Sequence, residues 1–361
     1  MSASMSSEVM AQHEAAATGD APTVVSVIVP CRNEAGHIDA FLDSALAQRL
    51  PPGLALQIVV ADGASDDGTR ARLDQRATQD PRLVVIDNPA RITSAALNRA
   101  IERADGELIV RMDVHTVYAE DYVAACAAAL QRTGAACVGG AWRPVGVAGR
   151  QRAIARAFES RFGSGGAASR QIDLEGEVDT VYLGAWRRAE LLRQGGFDEA
   201  LVRNQDDELA LRIVRSGGCV WQSAAIRSWY TPRGSFTALF RQFWQYGYWK
   251  VAVIRKHRLP AAPRHLVPFG FVAALALLAL GGFVWAPVWG ALAGLGVVYM
   301  TAALGSAALI AQPWREPGQW LGIGAATACM HFGYGLGFAR GLWDFMVVRR
   351  APGSAATRLT R

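Results

Sequence analysis

The chain has 361 residues, of which 51% are hydrophobic and 19% are charged, and its net charge is +6. This composition leans towards membrane association without making the whole chain membrane-embedded, and the positive charge suggests an anionic partner. The five cysteines are scattered and form no CxxC pair, which argues against a disulfide framework or a cysteine zinc site and indicates a reducing compartment.

The first half of the chain alternates predicted strands and helices. Residues 1–22 are rich in Ser and Ala and lack the apolar core of a secretory signal, so we predict a disordered tail there. "VVSVIVP" is a near-continuous apolar run, typical of a strand buried on both faces. A helical pattern follows it, and two further strands end at Asp62 and Asp87. A helix over 92–104 precedes a fourth strand ending at Asp113, and another helix leads to "ACVGG".

This alternation predicts a doubly wound α/β domain with a mostly parallel sheet over residues 23–238. Ligands of such sheets bind beyond the carboxyl ends of the strands, where Pro30, Asp62 and Asp113 stand. Neither GxGxxG nor GxxxxGK[ST] follows the first strand, which disfavours a dehydrogenase and a P-loop nucleotidase.

The second half is predicted to meet the membrane. Residues 239–264 combine aromatic and basic side chains, which favours an amphipathic helix lying at an anionic membrane surface. Residues 265–348 then hold about three apolar segments, and 349–361 form a basic tail. The basic residues before the first segment place the large domain in the cytoplasm, and the topology of the third segment stays open.

Several motifs, in order, resemble family 2 glycosyltransferases with the type A nucleotide-sugar-binding fold. They are "VSVIVPCRNEAGHI", "VVADGASDDGT", "ITSAALNRAIERADGELIVRMD", "YLGAWRRAELLRQGGFDE" and "NQDDELALRI", and the resemblance covers residues 24–256. The Asp-x-His ending of the fourth strand and the "YGYWK" run are most similar to the succinoglycan-type exopolysaccharide glucosyltransferases.

The resemblance implies a nucleotide-sugar site, with a UDP-sugar as the expected donor. Asp62 takes the position that in the family accepts a hydrogen bond from a pyrimidine ring. Its alternative role is to cap the turn that follows it, which the nearby Asp66 and Asp67 could do equally well. The implied nucleotide-sugar-binding residues are Pro30, Arg32, Glu34, Asp62, Arg91, Asn98 and Asp113.

Asp113 and His115 take the place of the family's Asp-x-Asp metal motif. A divalent cation is expected there because the leaving diphosphate is highly charged. Since imidazole is a softer ligand than carboxylate, His115 favours Mn²⁺ over Mg²⁺.

The resemblance assigns the catalytic base to Asp206, with Asp207 as its competitor. Both acids also suit the first turn of a helix for electrostatic reasons alone. A base there would deprotonate the acceptor hydroxyl, and a single such carboxylate suits an inverting displacement. The implied acceptor-side residues are Gly184, Ala185, Trp186, Gln242 and Tyr246.

Taken together, these features predict an inverting, metal-dependent hexosyltransferase at the inner face of the cytoplasmic membrane. Its partners would be a nucleotide sugar, a polyprenyl-linked acceptor of exopolysaccharide or cell-surface glycan synthesis, and membrane lipids, but no nucleic acid. Two alternatives remain: transfer directly to polyprenyl phosphate, and a catalytically silent membrane scaffold that binds nucleotide sugars. Gln245 and Tyr246 replace the Arg and Trp of the Gln-x-x-Arg-Trp motif, which weakens the case for processive polymerisation.

Overall fold

The computed structural model describes residues 23–167, 170–260 and 262–357. The predicted tail at 1–22 and the end of the predicted basic tail, 358–361, lie outside the described residues.

The main sheet of the described chain has eight strands: β1 (Thr23–Cys31), β2 (Leu54–Asp62), β3 (Leu83–Asp87), β4 (Leu108–Arg111), β6 (Cys137–Gly140), β8 (Gly176–Glu177), β9 (Tyr182–Arg187) and β10 (Val220–Gln222). Their order in the sheet is β3-β2-β1-β4-β9-β6-β10-β8. Strand β1 is parallel to both β2 and β4, β2 is parallel to β3, and β6 is parallel to β10, whereas β9 runs antiparallel between β4 and β6. A smaller sheet joins β5 (Thr116–Tyr118), β11 (Ser228–Tyr230) and β7 (Trp142–Pro144).

Helices cover both faces of the main sheet, which confirms the doubly wound α/β prediction. On one face lie α1 (Ile38–Leu46), α2 (Thr69–Gln79) and α4 (Tyr122–Thr133), and on the other α3 (Thr93–Arg103), α7 (Arg188–Arg193) and α8 (Gln205–Arg215). Alternate residues of β1 serve the two cores: Val27 and Val29 pack on the first face and Ile28 on the second. The apolar run at β1 is therefore continuous because both faces of the strand are buried.

Parallel pairing brings the ends of the central strands to one edge of the sheet. Cys31 at the end of β1 lies opposite Asp62 at the end of β2, and Arg111 at the end of β4 lies opposite Ile28. This edge carries the candidate site.

The predicted interfacial helix is α9 (Phe236–His257), and part of its aromatic face is buried inside the protein. Tyr248 and Trp249 are at most 2% exposed. They pack with Phe338 and Phe345 from the C-terminal part of the chain, so this part of the aromatic face contacts other helices.

The remaining helices complete the chain. They are α5 (Gly149–Glu159), α6 (Arg161–Ser164), α10 (Val267–Val284), α11 (Val288–Ala308), α12 (Pro317–Leu342) and α13 (Ser354–Thr357), with a 3₁₀ turn (Pro263–His265) and a π-helical segment (Trp343–Val348). Two helical segments of the described chain, Pro263–Val284 and Val288–Ala308, are long and apolar enough to cross a membrane, and few of their residues are buried in the protein.

The third predicted membrane segment lies in α12, which is not one of these two helices. This helix packs along α9. Glycines at every fourth position, Gly333, Gly337 and Gly341, each bring the α12 backbone against a carbonyl oxygen of α9 or its side chains. The glycine-rich stretch thus serves a close helix–helix contact.

Candidate active site

A cavity of about 810 Å³ opens at the carboxyl edge of the sheet and extends to α10, α11 and α12. Five residues predicted to bind the nucleotide sugar line it: Pro30, Arg32, Glu34, Arg91 and Asp113. They come from the ends of β1 and β4 and the loop after β3, so the parallel sheet explains why distant parts of the sequence meet here.

Two predicted nucleotide-sugar residues do not line this cavity. Asp62 is 2% exposed, and its carboxylate accepts hydrogen bonds from the hydroxyl (2.5 Å) and the N–H (3.2 Å) of Ser65, so it caps the turn after β2. Asn98 donates to the carbonyl of Phe197 and to Glu199, and its own carbonyl accepts from the N–H of Phe197. Asn98 therefore ties α3 to the loop after α7.

Asp113 is held rigidly at the end of β4. Its N–H donates to the hydroxyl of Tyr118 at 2.6 Å, and that hydroxyl donates to the carbonyl of Asp113 at 3.1 Å. The Asp113 carboxylate accepts two hydrogen bonds of 3.2 Å from Arg111. The side chain thus has a fixed position while a third of it stays exposed to the cavity.

Arg111 is a site residue that the sequence analysis missed, although a charge inside the apolar run "LIVRMD" was a signal for it. Its side chain is 6% exposed, and its Nη1 lies 4.0 Å from the Asp206 carboxylate. Burial lowers the pKa of Arg111, but the charges of Asp113 and Asp206 outweigh burial and raise it. Arg111 is therefore a permanent cation between the predicted metal ligand and the predicted base.

His115 also faces the cavity, where its Nε2 lies 3.0 Å from Oε2 of Glu34. A neutral imidazole that donates from Nε2 leaves Nδ1 as an acceptor, which is the arrangement of metal-binding histidines held by a carboxylate. The ring of His37 packs 5.2 Å from that of His115.

This donor set fits a divalent cation that also takes oxygen ligands from a bound diphosphate. Asp113 offers carboxylate oxygens and His115 an imidazole nitrogen, and both are ligands that Mn²⁺ accepts. Among the described residues, no group of three or more His, Cys, Asp or Glu side chains is placed to hold a metal ion by itself, so the diphosphate would have to supply further ligands.

The start of α8 places two carboxylates in the cavity wall. Asn204 precedes the helix in a left-handed conformation (φ 61°), and its side-chain amide donates to the carbonyl of Tyr246 on α9 at 2.9 Å. This link fixes the first turn of α8, so Asp206 and Asp207 both line the cavity.

The two carboxylates have opposite electrostatic environments. Burial and the negative charge of Asp207 raise the pKa of Asp206. Burial also acts on Asp207, but its ion pair with the buried Lys250 outweighs that effect and lowers the pKa of Asp207. Asp206 is thus the carboxylate better suited to take up a proton, and Asp207 remains a paired anion.

The predicted acceptor-side residues lie in two different places. Gln242 and Tyr246 line the cavity, and the Gln242 amide donates to the Tyr246 hydroxyl at 3.0 Å.

Gly184, Ala185 and Trp186 lie inside β9, and all three are buried. Because β9 is antiparallel to β4, its beginning rather than its middle reaches the site edge. Residues at that beginning line the cavity instead: Thr180, Val181, Tyr182 and Leu183.

Comparisons with known proteins identify the family of the chain. The sequence model of glycosyl transferase family 2 matches residues 26–195. Succinoglycan biosynthesis protein ExoA of Rhizobium meliloti (strain 1021) is 34% identical over 321 residues, which cover 88% of this chain and 95% of that protein. A Methanococcus voltae protein, dolichyl N-acetyl-alpha-D-glucosaminyl phosphate 3-beta-D-2,3-diacetamido-2,3-dideoxy-beta-D-glucuronosyltransferase, is 25% identical over 72% of this chain and 82% of its own length.

A solved structure shares the fold. The mannosyltransferase PcManGT from Pyrobaculum calidifontis, in complex with GDP-Man and Mn²⁺, aligns with a TM-score of 0.59 at 24% identity, covering 90% of this chain and 88% of that one. This likeness establishes the type A fold for the α/β domain.

Proposed function

Because the chain belongs to glycosyltransferase family 2, we propose that it transfers a hexose from a UDP-sugar to a sugar hydroxyl of a lipid-linked acceptor, with inversion at the anomeric carbon. Family membership makes the chain a glycosyltransferase, so the alternative of a silent scaffold is set aside. The observation that carries the proposal is the position of Asp206, a carboxylate with a raised pKa in the wall of a cavity that reaches from the sheet edge to the C-terminal helices.

In the proposed reaction, Asp206 accepts the proton of the acceptor hydroxyl. The hydroxyl oxygen forms a bond to the anomeric carbon as the bond between that carbon and the diphosphate oxygen breaks, and UDP leaves as an anion. One displacement of this kind inverts the anomeric centre and needs no carboxylate nucleophile. Arg111, held between Asp113 and Asp206, orients both carboxylates.

Direct transfer to polyprenyl phosphate is the second candidate, and Asp206 argues against it. A phosphate monoester already carries a charge of about −1.5 to −2 at pH 7, so its oxygen attacks without a base. A carboxylate whose environment favours proton uptake supports a hydroxyl acceptor.

Asp113 and His115 are proposed to hold the divalent cation. Bound there, the cation would neutralise charge on the diphosphate as it leaves. We expect Asp113→Ala to lose metal-dependent binding of the donor, and His115→Asp to keep activity while shifting the preference from Mn²⁺ towards Mg²⁺, since carboxylate is the harder ligand.

Titration of the donor at increasing Mn²⁺ and Mg²⁺ measures both effects. If His115→Ala leaves the Mn²⁺ dependence unchanged, His115 is not a ligand.

We propose that the protein is anchored in the cytoplasmic membrane by α10 and α11, with the α/β domain in the cytoplasm. The exposed basic residues Arg255, Lys256 and Arg258 precede the first apolar helix, which supports a cytoplasmic position for them.

The experiment that tests the function is a screen of radiolabelled UDP-sugars with membrane lipid extract. The full chain in detergent is expected to move label from one of them into a lipid fraction that mass analysis identifies as a lipid-linked glycan lengthened by one hexose. Label that appears only as free sugar or on polyprenyl phosphate would overturn the proposed acceptor.

A further inference from the structure

The cavity carries more positive charge than its own carboxylates can neutralise. Among the described residues that line it, nine are Arg or Lys and only four are Asp or Glu. Of those four, Asp113 faces Arg111 and Asp207 faces Lys250. The surplus predicts that the cavity binds anionic groups, of which the donor diphosphate is one.

Arg170 is the most unusual of these cations. Its guanidinium lies 3.6 Å from the ring centre of Trp142 and 4.6 Å from that of Phe158. Its Nε and Nη1 are buried and have no hydrogen-bond partner in the described part of the chain. Burial lowers the pKa of Arg170 to about 9. Burying charged donors without acceptors is costly, so such an arrangement is expected where a ligand supplies the acceptors.

The surroundings of Arg170 suit an oxyanion. The rings of Tyr182 and Tyr230 pack on Trp142, at 5.8 and 4.9 Å between ring centres, directly beside Arg170. Tyr230 and Tyr246 are also electrostatic neighbours of Arg203, and so is the base Asp206. Tyr230 and Tyr246 thus lie near both Arg170 and Arg203, and Arg203 also lies near the proposed base.

We call this set of cavity-lining residues the Arg170 cluster; it consists of Arg170, Arg203, Arg233, Tyr182, Tyr230 and Tyr246.

The wall of the cavity beyond the cluster is apolar and comes from the C-terminal helices. Val267, Pro268 and Phe271 at the start of α10, Tyr299 of α11 and Met330 of α12 line it. Few residues of α10 and α11 are buried, and Val267 is 66% exposed, so this end of the cavity adjoins the side of the molecule that would meet lipid. An amphiphile with an anionic head and a hydrocarbon chain matches both ends.

We infer that the Arg170 cluster binds the phosphate or diphosphate that joins the acceptor sugar to its lipid. The inference rests on the proposed function, because it needs a lipid-linked acceptor. With the phosphate at the cluster and the hydrocarbon chain along α10, the attached sugar is next to Asp206, where its hydroxyl must be deprotonated. Arg suits this task because its planar fork of donors matches phosphate oxygens.

The test is a binding titration of the full chain in detergent micelles with farnesyl diphosphate, farnesol, inorganic pyrophosphate and UDP. We compare wild type with Arg170→Gln and with the control Arg143→Gln. Arg143 is also a partly buried arginine near a tryptophan, 6.0 Å from the ring centre of Trp229, but it does not line the cavity.

Arg170→Gln should bind farnesyl diphosphate about ten- to a hundredfold more weakly, the range for losing charge-assisted hydrogen bonds. Its affinities for farnesol and UDP should match those of wild type, and Arg143→Gln should bind all four probes normally. Pyrophosphate should bind wild type more weakly than farnesyl diphosphate, since the apolar wall contributes to binding of the chain.

Three outcomes would overturn the inference: unchanged binding of farnesyl diphosphate, an equal loss of UDP binding that assigns Arg170 to the donor diphosphate, or pyrophosphate binding as tight as that of the lipid. A thermal unfolding scan shows whether Arg170→Gln is folded, and Arg170→Lys, which keeps the charge but not the fork, replaces it if not. Arg170-dependent binding without any glycosyl transfer by wild type would instead overturn the proposed function alone.

Discussion

At the scale of single residues, Lys250 gives the adjacent carboxylates Asp206 and Asp207 different electrostatic environments. Its ion pair holds Asp207 as an anion, and the charge of that anion adds to burial in raising the pKa of Asp206. Adjacent residues in a helix point about 100° apart, so the two side chains do not exchange roles easily.

Asp206→Asn should lower turnover about a hundred- to ten-thousandfold, because the amide cannot accept the proton, with little change in UDP-sugar affinity. Asp207→Asn is the matched variant and should retain far more activity. It should instead lower the free energy of unfolding by about 3 kcal/mol, because Lys250 is left buried without its partner. Turnover, donor affinity and denaturant unfolding of both variants check this. An inactive Asp207→Asn beside a nearly normal Asp206→Asn would move the base by one residue.

The pH dependence of turnover follows from the same pair. Asp206 must be ionised to act, so turnover should fall as pH drops through its raised pKa, at a higher pH than an ordinary Asp with a pKa of 3.8 would cause. Asp207→Asn removes a neighbouring negative charge and leaves Lys250 positive. Both changes lower the pKa of Asp206, so the acid limb should move to lower pH. A limb that stays in place or moves upward in a pH–rate profile would contradict this electrostatic coupling.

At the scale of elements, α12 packs closely against α9, the helix that places Gln242 and Tyr246 in the cavity wall. A Cβ at Gly337 would lie 2.0 Å from the carbonyl oxygen of Trp244, so no larger side chain fits without moving a helix.

We expect Gly337→Val to destabilise the protein by about 1–3 kcal/mol, the usual cost of overpacking. Transfer to lipid acceptor should decrease more than donor binding, because the substitution displaces the wall that carries Gln242 and Tyr246. Gly294→Val on α11, where a Cβ meets no atom within 4 Å, is the control and should leave transfer unchanged. Thermal unfolding measures the loss of stability, and the rate of transfer compared with donor affinity measures the loss of positioning. If Gly337→Val and Gly294→Val change transfer equally, the contact between α9 and α12 has no positioning role.

The elements differ in how far the sequence could predict them. Apolar runs and helical periodicity identified β1 and the strands ending at Asp62 and near Asp113, because these elements are buried in regular patterns. The burial of α9 was not predictable, since aromatic and basic residues look alike whether they face lipid or another helix. The position of Gly184, Ala185 and Trp186 away from the cavity was equally hidden, since only tertiary pairing reveals that β9 is antiparallel and presents its beginning to the site. Local sequence also does not show that the polar atoms of Asp62 and Asn98 bond to neighbouring protein groups.

At the scale of the whole molecule, one cavity connects three parts that are distant in sequence. The ends of β1 and β4, the start of α8 and the helices α10 to α12 all line this cavity. In the proposed reaction they would provide the donor side, the base and the apolar wall, respectively. This arrangement of the three parts suits the proposed reaction, in which a soluble donor and a membrane-bound acceptor meet at Asp206.

The proposed reaction depends most on a single direct displacement assisted by one base, and the stereochemistry of the product tests this directly. The lipid-linked product formed from an α-linked UDP-hexose would be purified, and the anomeric configuration of its new bond determined by NMR from the one-bond carbon–proton coupling. We expect a β-linkage, the result of one inversion at the anomeric carbon. An α-linkage would contradict direct attack by a hydroxyl that Asp206 deprotonates.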